Sequence, residues 1–428
     1  MKLRREPCPP SAPKLLAAAA GTAFATLFVA RNFFPTEKKI RHRIEADYAV
    51  GDDVFVRTMG NLLGPPFVEG NRITALENGE QIFPAMLEGI RSAKRTITFE
   101  NFLWREGEIS DLFAEALVER ARAGLTVHFL QDALGCNALR GRAMNLIRRS
   151  PVQLEIFRFL RMNVNFRTHR KLLVIDGRAG FIGGTGISDE WKGDGRTRGY
   201  WRDSHFKVEG PAVAQMQNAF LDNWQQTRAE LLHGDAYFPN LECVGNQTCQ
   251  VFKSSAGEGS DSARLMVLVA TAAARKRICI ANAYFIPDDL AIQTLVEALQ
   301  RGVRVDILVP GSDTDALLVR AVGKTRWPRL FEAGARFYEY QPARFHCKHF
   351  MVDDCWASVG SANLDNRSLS LNEEANLNVL DEKFVAEQIR VFEEDLRHAR
   401  EITYDEWKRR PMREKIKGYL GSVIRQQL

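Results

Sequence analysis

The chain has 428 residues, of which 45% are apolar and 26% charged, and this composition excludes a disordered or fibrous protein. Seven cysteines, odd in number and without a Cys-x-x-Cys pair, predict neither a disulfide framework nor a zinc site, and we expect no metal or other cofactor. The net charge of +6 suits anionic partners, and the length predicts two or three domains with a substantial core.

Residues 1–45 differ from the rest of the chain. An uncharged run, Leu15 to Ala30, is preceded and followed by lysines and arginines. Its 16 residues fall short of the roughly 20 that a helix needs to cross a bilayer. A membrane anchor, a cleavable signal peptide and an amphipathic helix in the membrane plane all remain open, and we favour an uncleaved anchor. Basic residues on both sides remove the asymmetry that would set its orientation.

The body of the chain contains a repeated order of helices and strands. In the first copy, hydrophobic periodicity predicts helix, strand, helix and strand over 83–92, 94–103, 109–123 and 125–130. The same order returns over 263–274, 277–285, 290–301 and 303–309. We therefore expect an α/β fold with two lobes, each a mainly parallel sheet flanked by helices. The predicted boundaries are 46–253 for the first lobe, 254–262 for a turn-rich linker, 263–405 for the second lobe and 406–428 for a basic tail.

Each copy runs into the same pattern, His-x-Lys-x-x-x-x-Asp. The matching residues are His169, Lys171 and Asp176 in the first copy, and His346, Lys348 and Asp353 in the second. Residues two apart in an extended segment project to one side, so each copy places an imidazole beside an ammonium group. A group that titrates near neutral pH next to a fixed cation suits a phosphate ester better than a carbonyl or a sugar.

The paired motifs resemble the signature of the phospholipase D superfamily, in which two such motifs meet across a pseudo-twofold axis. This resemblance implies an active site at the lobe interface and displacement at a phosphodiester. It assigns the nucleophile to His169, through a phosphohistidine, and the general acid and base to His346, which sequence alone does not separate. Lys171 and Lys348 would hold the phosphate oxygens.

Other residues are expected to support this chemistry. Asp176 and Asp353, at the far ends of the motif strands, are expected to hold structure rather than touch substrate. Each histidine needs a partner on its second ring nitrogen, and the candidates are Glu190 in the first half and Glu374 in the second. The residues predicted to bind phosphate or support the site are Thr185, Ser188, Glu190, Ser361, Asn363 and Glu374.

One position departs from the superfamily pattern. The second half matches Gly-Ser-x-Asn-x-Asp-x-Arg-Ser-Leu…Asn-x-Glu from Gly360 to Glu374, and Asn363 is its first asparagine. At the corresponding position of the first half, where many relatives carry asparagine, this chain has Gly186. Thr185, Ser188 or backbone amides would have to replace the missing donor, which puts a symmetric phosphate grip in doubt.

Several stretches are similar to bacterial cardiolipin synthases in particular, and the similarity extends from about Asn78 to about Met412. The stretches are 80–88, 208–213, 220–224, 282–287 and 338–342. This similarity implies transfer of a phosphatidyl group from one phosphatidylglycerol to the hydroxyl of another, with release of glycerol. Two alternatives stay open, namely hydrolysis as in a phospholipase D, and cleavage of nucleic acid by a nuclease of the superfamily.

The carboxyl-terminal tail favours a lipid partner. From Trp407 to Leu428, seven lysines and arginines accompany one acid, Glu414. A helix after Pro411 would align one apolar stripe, with most cations opposite: Met412, Ile416, Tyr419, Leu420, Val423 and Ile424. Such a helix would lie in an anionic membrane surface, or it would pack its stripe on the body of the protein. We expect an anionic phospholipid substrate, no nucleic acid partner, and a location at the bacterial inner membrane.

Overall fold

A computed structural model of the chain describes residues 12–33, 40, 42–136, 141–157, 165–255 and 261–427. The helices are α1 Ala12–Phe33, α2 Asp53–Leu63, α3 Asn78–Ser92, α4 Glu108–Arg122, α5 Arg142–Arg148, α6 Val213–Arg228, α7 Ser262–Ala273, α8 Asp289–Gln300, α9 Leu317–Gly323, α10 Pro328–Glu332, α11 Asn366–Ser370, α12 Glu382–Arg397, α13 Tyr404–Arg409 and α14 Met412–Gly421, with 3-10 helices at Asp189–Trp191 and Ser422–Gln427. The strands are β1 Val68–Glu77, β2 Thr96–Asn101, β3 Thr126–Asp132, β4 Gln153–Phe157, β5 Leu172–Ile175, β6 Ala179–Gly183, β7 Trp201–Arg202, β8 Ser204–Glu209, β9 Gln247–Ser255, β10 Arg277–Asn282, β11 Arg304–Pro310, β12 Arg336–Tyr340, β13 Arg344–Phe345, β14 Lys348–Val352, β15 Trp356–Gly360, β16 Glu373–Leu380 and β17 Ala399–Ile402.

The repeated helices and strands are observed where the periodicity predicts them. In the first copy they are α3, β2, α4 and β3, and in the second they are α7, β10, α8 and β11. Strand β2 is buried along its whole length, and β10 is buried except at its first residue, because helices cover both faces of the sheet. The ends shift by a few residues, where periodicity is least informative.

The prediction of mainly parallel sheets is wrong. One 15-stranded sheet has the order β17-β12-β11-β10-β14-β15-β16-β9-β1-β8-β6-β5-β2-β3-β4. Only the pairs β2–β3, β3–β4, β10–β11 and β11–β12 are parallel, and all other neighbours in it are antiparallel. For two of the antiparallel pairs the reason is the length of the connection: residues 176–178 join β5 to β6, and residues 353–355 join β14 to β15. Such short links allow hairpins but no parallel crossover.

The two halves of the chain contribute matching strand orders to this sheet. The matching orders are β4-β3-β2-β5-β6-β8 and β12-β11-β10-β14-β15-β16, and β1 and β9 pair with each other between them. The second half adds the edge strand β17 beside β12. One face carries a core shared by both halves beneath α6 and α12. The opposite face carries two cores, beneath α3 and α4 in the first half and beneath α2, α7 and α8 in the second. The motif strands β5 and β14 therefore occupy equivalent places in the sheet.

Parts of the predicted terminal and linker segments fall at the limits of the described chain. Residues 1–11 and 34–39 lie outside the described residues, as do residues 256–260 of the expected linker, whereas Ser254 and Ser255 belong to β9. Among the helices that the structure describes, α1 included, none combines the length and apolarity required to cross a membrane.

The turn after each motif strand is built in the same way. Asp176 and Asp353 both adopt a left-handed backbone conformation, with φ of 53°. The Asp176 carboxylate accepts hydrogen bonds of 2.7–2.9 Å from three successive backbone N–H groups at 94–96. The Asp353 carboxylate accepts three equivalent bonds of 2.5–3.0 Å from 275–277. Both aspartates thus attach the motif hairpin to the start of β2 or β10, in agreement with the structural role expected of them.

Substitution of Asp176 or Asp353 by alanine is expected to destabilise the protein by about 1–3 kcal/mol, because three backbone donors lose their acceptor in each case. The measurement is the midpoint of urea denaturation of each variant. Asp47→Ala is the control, since Asp47 is exposed and precedes the sheet. A midpoint for Asp176→Ala equal to that of the control would contradict this account of the turn.

Candidate active site

The first motif histidine is held by two consecutive residues of the other half of the chain. The His169 backbone N–H donates to the carbonyl of Glu373 at 2.8 Å. The His169 ring Nδ1 lies 3.0 and 3.1 Å from the two carboxylate oxygens of Glu374. Since a carboxylate accepts, Nδ1 carries the hydrogen and Nε2 is left for chemistry.

The second motif histidine is held by the equivalent pair of contacts, made by two consecutive residues of the first half. The His346 backbone N–H donates to the carbonyl of Arg202 at 2.8 Å, and its Nδ1 lies 2.7 Å from Asp203 Oδ2. Short parallel pairings carry both contacts, one between β13 and β7 and the other a bridge between Thr168 and Glu373. Each half therefore supplies the carboxylate that orients the histidine of the other half.

This arrangement corrects the predicted partners. Glu374 was expected to orient the histidine of its own half, and it contacts His169 instead. Glu190, the candidate for His169, forms ion pairs with Arg105 and with Arg344, at 3.2 Å for the latter. Among the described residues, the Glu190 carboxylate thus pairs with arginines and makes no hydrogen bond to a motif histidine. The reason is that each motif segment leaves its own sheet strands and pairs with the opposite half before its histidine is reached.

Sequence reasoning missed Asp203, although a signal for it exists. Gly183 at the end of β6 is paired with His205, and Gly360 at the end of β15 is paired with Asn376. Asp203 and Glu374 each lie two residues before that partner, so they are equivalent positions. A comparison of the strands that follow the two glycine turns, rather than of the turns alone, would have identified the aspartate.

The two carboxylates are braced differently. Glu374 accepts hydrogen bonds from the Ser361 hydroxyl and from Asn372 Nδ2, the latter at 3.3 Å. Asp203 accepts from the Trp191 indole N–H and from the Ser204 backbone N–H, both at 2.9 Å. Gly184 replaces the serine in the first half, where a Cβ would lie 2.5 Å from an Asp203 oxygen. A serine at 184 would therefore collide with Asp203, whereas the equivalent Ser361 of the second half donates a hydrogen bond to Glu374.

Arg170, between the histidine and lysine of the first motif, is a further residue that the sequence did not single out. Its guanidinium is completely buried and donates to Glu373 at 3.1 Å and to Asp222 at 3.0 Å. Its Nε also donates to the Glu374 carbonyl at 3.2 Å. This side chain joins α6 of the first half to β16 of the second, and thereby fixes the backbone that carries Glu374.

Both motif lysines are buried and bend back toward their own histidines. Lys171 Nζ donates to the His169 carbonyl at 2.6 Å, and Lys348 Nζ donates to the His346 carbonyl. Burial lowers the pKa of Lys171 to about 7; Glu374 opposes this shift, whereas the charge of Lys348 adds to it. Burial also lowers the pKa of Lys348. Burial thus disfavours two ammonium groups, and an anion beside them would favour both charges.

The imidazoles are likewise shifted toward their neutral forms. Burial lowers the pKa of His169 to about 4, and the opposing charge of Glu374 does not compensate. Burial and then the charge of Lys348 lower the pKa of His346, against the effect of Asp203. A neutral imidazole is the form that attacks phosphorus, and a bound phosphodiester anion would raise the pKa of the ring that must donate a proton.

Aromatic rings form the walls around both histidines. The Phe102 ring centroid lies 5.2 Å from that of His169, edge to face. The stacked indoles of Trp191 and Trp201 lie 5.5 and 5.1 Å from His346, and Tyr284 lies 6.3 Å from it. These walls limit access of water to the rings, which strengthens every electrostatic contact within the site.

The remaining predicted residues divide into two groups. Asn363 lines a small cavity together with Lys348, and Asn363 Oδ1 and Thr185 Oγ1 are buried without a hydrogen-bond partner among the described residues. Ser188 instead caps the short helix at 189–191 by accepting the Glu190 N–H at 3.3 Å. The Thr185 hydroxyl can donate to a substrate phosphate, whereas Asn363 Oδ1 needs a donor and Ser188 serves the backbone.

Gly186 has a steric explanation. A Cβ at this position would lie 3.1 Å from Leu103 Cβ and 3.3 Å from the Leu103 carbonyl oxygen, which accepts the Ile187 N–H. An asparagine equivalent to Asn363 therefore has no room unless Leu103 moves. The two halves therefore present unequal sets of side chains at these equivalent positions.

The pKa of Lys171 predicts how anion binding depends on pH. Because the free lysine loses its proton above about pH 7 and the anion-bound lysine keeps it, affinity for inorganic phosphate should fall above pH 7, by up to about tenfold per pH unit. Isothermal titration of phosphate between pH 6 and 9 measures this, with correction for the ionisation of phosphate itself. Lys171→Met should flatten the profile, and an unchanged slope in that variant would assign the titration to another group.

Comparisons with known proteins identify sequences that are similar to this chain. A protein-family model described as "Cardiolipin synthase, PLD-like domain" matches residues 268–396. The chain is 33% identical over 367 residues to cardiolipin synthase 1 of Bacillus cereus, across 82% of this chain and 72% of that protein. It is 35% identical over 343 residues to cardiolipin synthase A of Pseudomonas aeruginosa, across 79% of this chain and 69% of that protein.

The fold is also similar to a solved structure. A phosphatidylserine synthase from Haemophilus influenzae superposes with a TM-score of 0.67 at 16% identity, covering 87% of this chain and 99% of that chain. At this identity the superposition shows a common fold, a large mixed sheet with helices on its faces.

Proposed function

Since the chain belongs to the cardiolipin synthase family of the phospholipase D superfamily, we propose that it transfers a phosphatidyl group between two phosphatidylglycerol molecules and releases glycerol. The observation that carries the proposal is the pair of buried histidines, each with a carboxylate on Nδ1 and a lysine beside it. Two imidazoles with free Nε2 atoms supply the nucleophile and the proton donor of a displacement at phosphorus.

In the first step, His169 Nε2 attacks the phosphorus of the donor lipid, and a bond from nitrogen to phosphorus forms as the bond to the glycerol oxygen breaks. His346, protonated on Nε2, gives its proton to the departing oxygen, and glycerol leaves. Glu374 stabilises the charge that develops on the His169 ring. Lys171 and Lys348 lie where they would balance the charge on the non-bridging oxygens.

In the second step, the neutral His346 takes the proton from a hydroxyl of a second phosphatidylglycerol. That oxygen attacks the phosphohistidine, the bond to His169 breaks, and cardiolipin is released. Asp203 holds the His346 ring through both proton transfers. Burial raises the pKa of Asp203, but the protonated His346 ring, Lys348 and the Trp191 hydrogen bond together hold this pKa well below its usual value, so the carboxylate is ionised beside the imidazolium.

We further infer that the two halves act as pseudo-twofold-related lobes with the reacting phosphate between them. The matching strand orders and the exchanged carboxylates support this arrangement. The charge of each lysine also lowers the pKa of the histidine in the opposite half, which requires the two motifs to lie near each other. Neither half alone contains a complete histidine and carboxylate pair.

The substrate of this proposal is an anionic phospholipid, and the location is the bacterial inner membrane. Aromatic walls suit a lipid ester from which water is excluded. The alternatives are hydrolysis, in which water replaces the acceptor hydroxyl, and cleavage of nucleic acid.

The test uses purified protein in detergent with phosphatidylglycerol labelled in its phosphatidyl group, without added divalent metal. Labelled cardiolipin and an equal amount of free glycerol are expected. Phosphatidic acid as the sole product would show that the protein is a hydrolase and not a transferase. Cleavage of DNA with no lipid product would show that it is a nuclease.

A further inference from the structure

The carboxyl-terminal helix α14 packs on α9 through its small residues. A Cβ at Gly418 would lie 2.5 Å from the Ala321 carbonyl oxygen, and one at Gly421 would lie 2.6 Å from a Val322 methyl carbon. The two backbones therefore approach closely at two points one turn apart. The glycines, which would weaken an isolated helix, are what permit this docking.

The apolar stripe of α14 lies on the opposite side, in solvent. Because a helix turns by about 100° per residue, Ile416 projects nearly opposite the midpoint between Gly418 and Gly421. Relative exposure is 66% for Met412, 51% for Ile416, 63% for Tyr419 and 70% for Leu420, and it rises to 85% for Val423 beyond the helix. Of the two alternatives for the tail, the one in which the stripe packs on the body is therefore excluded.

The acidic and basic residues of α14 lie on different sides of the helix. Its one acid, Glu414, points toward the body, where it forms ion pairs with Lys324 at 3.0 Å and Arg320 at 3.8 Å. Arg413 and Lys417 are exposed beside the stripe and make no ion pair within the described part of the chain. The cations therefore flank the apolar residues rather than lie opposite them, and no acid stands among them.

Segments next to this surface are hydrogen-bonded to residues near the two histidines. Asn165 Nδ2, four residues before His169, donates to Gln427 Oε1 at 2.7 Å, and Arg367 Nη1 donates to the Gln427 carbonyl at 3.1 Å. On the other side, Asp315, just before α9, accepts from the Tyr284 hydroxyl at 2.8 Å, and the Tyr284 ring stands against His346. Hydrogen bonds thus connect the segments next to α14 and α9 to the parts of the chain that carry His169 and His346.

We propose that the stripe of 412–424, together with its flanking cations, is the surface by which the protein docks on an anionic lipid bilayer. This inference rests on the proposed lipid substrate and adds to it the face that engages the bilayer. Exposed apolar side chains flanked by unpaired cations match the boundary between acyl chains and anionic headgroups. A lipid ester then enters the site with its chains still in the membrane.

The test compares two double variants of the full chain. Ile416→Glu with Leu420→Glu places acids in the stripe, and Val54→Glu with Leu231→Glu places them at two other exposed apolar positions. On phosphatidylglycerol vesicles the stripe variant should lose at least about tenfold in turnover relative to the control variant. On monomeric short-chain phosphatidylglycerol the two should agree within about twofold, because the histidines are untouched. Equal turnover on vesicles would overturn the proposal.

A second measurement locates the bilayer independently of turnover. A benzophenone side chain introduced at Val423 should cross-link to lipid in phosphatidylglycerol vesicles, and the same group at Leu231 should not. Equal labelling at both positions, or cross-linking of Val423 to a second copy of the chain, would overturn the proposal. If the wild type makes no product from any phosphatidylglycerol, the proposed function fails, and the cross-linking result still decides whether this surface meets lipid.

Discussion

Alanine at His169 or at His346 is expected to reduce phosphatidyl transfer by about 10,000-fold or more, because one substitution removes the nucleophile and the other removes the proton donor. Formation of labelled cardiolipin is the measurement. The control is His233→Ala, since His233 is exposed. Residual transfer above one per cent in either variant would exclude an essential role for that imidazole.

Trapping the intermediate distinguishes the two roles. A denaturing quench at alkaline pH should preserve a label on the peptide that contains His169 in the wild type, and no label should remain in His169→Ala. Recovery of the label on His346 would reverse the assignment of nucleophile and acid. The geometry alone is nearly symmetric, since both rings are held on Nδ1 at 3.0 Å or less.

Asp203→Asn and Glu374→Gln are each expected to lower kcat by about 100- to 10,000-fold. Each carboxylate accepts the Nδ1 hydrogen, which leaves Nε2 without one, and its negative charge stabilises the imidazolium. A neutral amide lacks that charge and holds the ring less firmly. Thermal midpoints close to that of the wild type would show that the loss is chemical. Glu115→Gln, at an exposed position on α4, is the matched control.

The exchange of carboxylates between the halves makes the two variants distinguishable. A phosphatidyl ester of p-nitrophenol needs little help from an acid when its leaving group departs. Such a substrate should restore phosphoenzyme formation in Asp203→Asn, because Asp203 serves His346, and not in Glu374→Gln, because Glu374 serves His169. The opposite pattern would mean either that carboxylates act within their own halves or that the histidine roles are reversed, and the trapping experiment separates these.

Local sequence predicted much of the molecule. The repeated helices and strands follow from hydrophobic periodicity over short windows, and α3, β2, α7 and β10 are found where that periodicity lies. The motif residues, such as His169 and Lys171, are recognisable because they are close in the chain and occur twice. Even the structural role of Asp176 follows from its place at the end of a strand.

Contacts between distant residues were beyond such reasoning. Links of three residues explain only the two motif hairpins, whereas other antiparallel pairs, such as β1–β8 and β9–β1, join strands that are distant in the chain. The exposed stripe of α14 was readable as a pattern, yet its orientation depends on the close approach that Gly418 and Gly421 make to α9.

What the sequence by itself determined is the chemistry, namely two histidines and two lysines in duplicate motifs. Only the tertiary structure decided which carboxylate serves which ring. His169 and Glu374 are 205 residues apart, and His346 and Asp203 are 143 apart, so no local pattern links them. They meet because each motif segment pairs with a strand of the opposite half, and the interaction that joins them is formed only when the two halves are assembled.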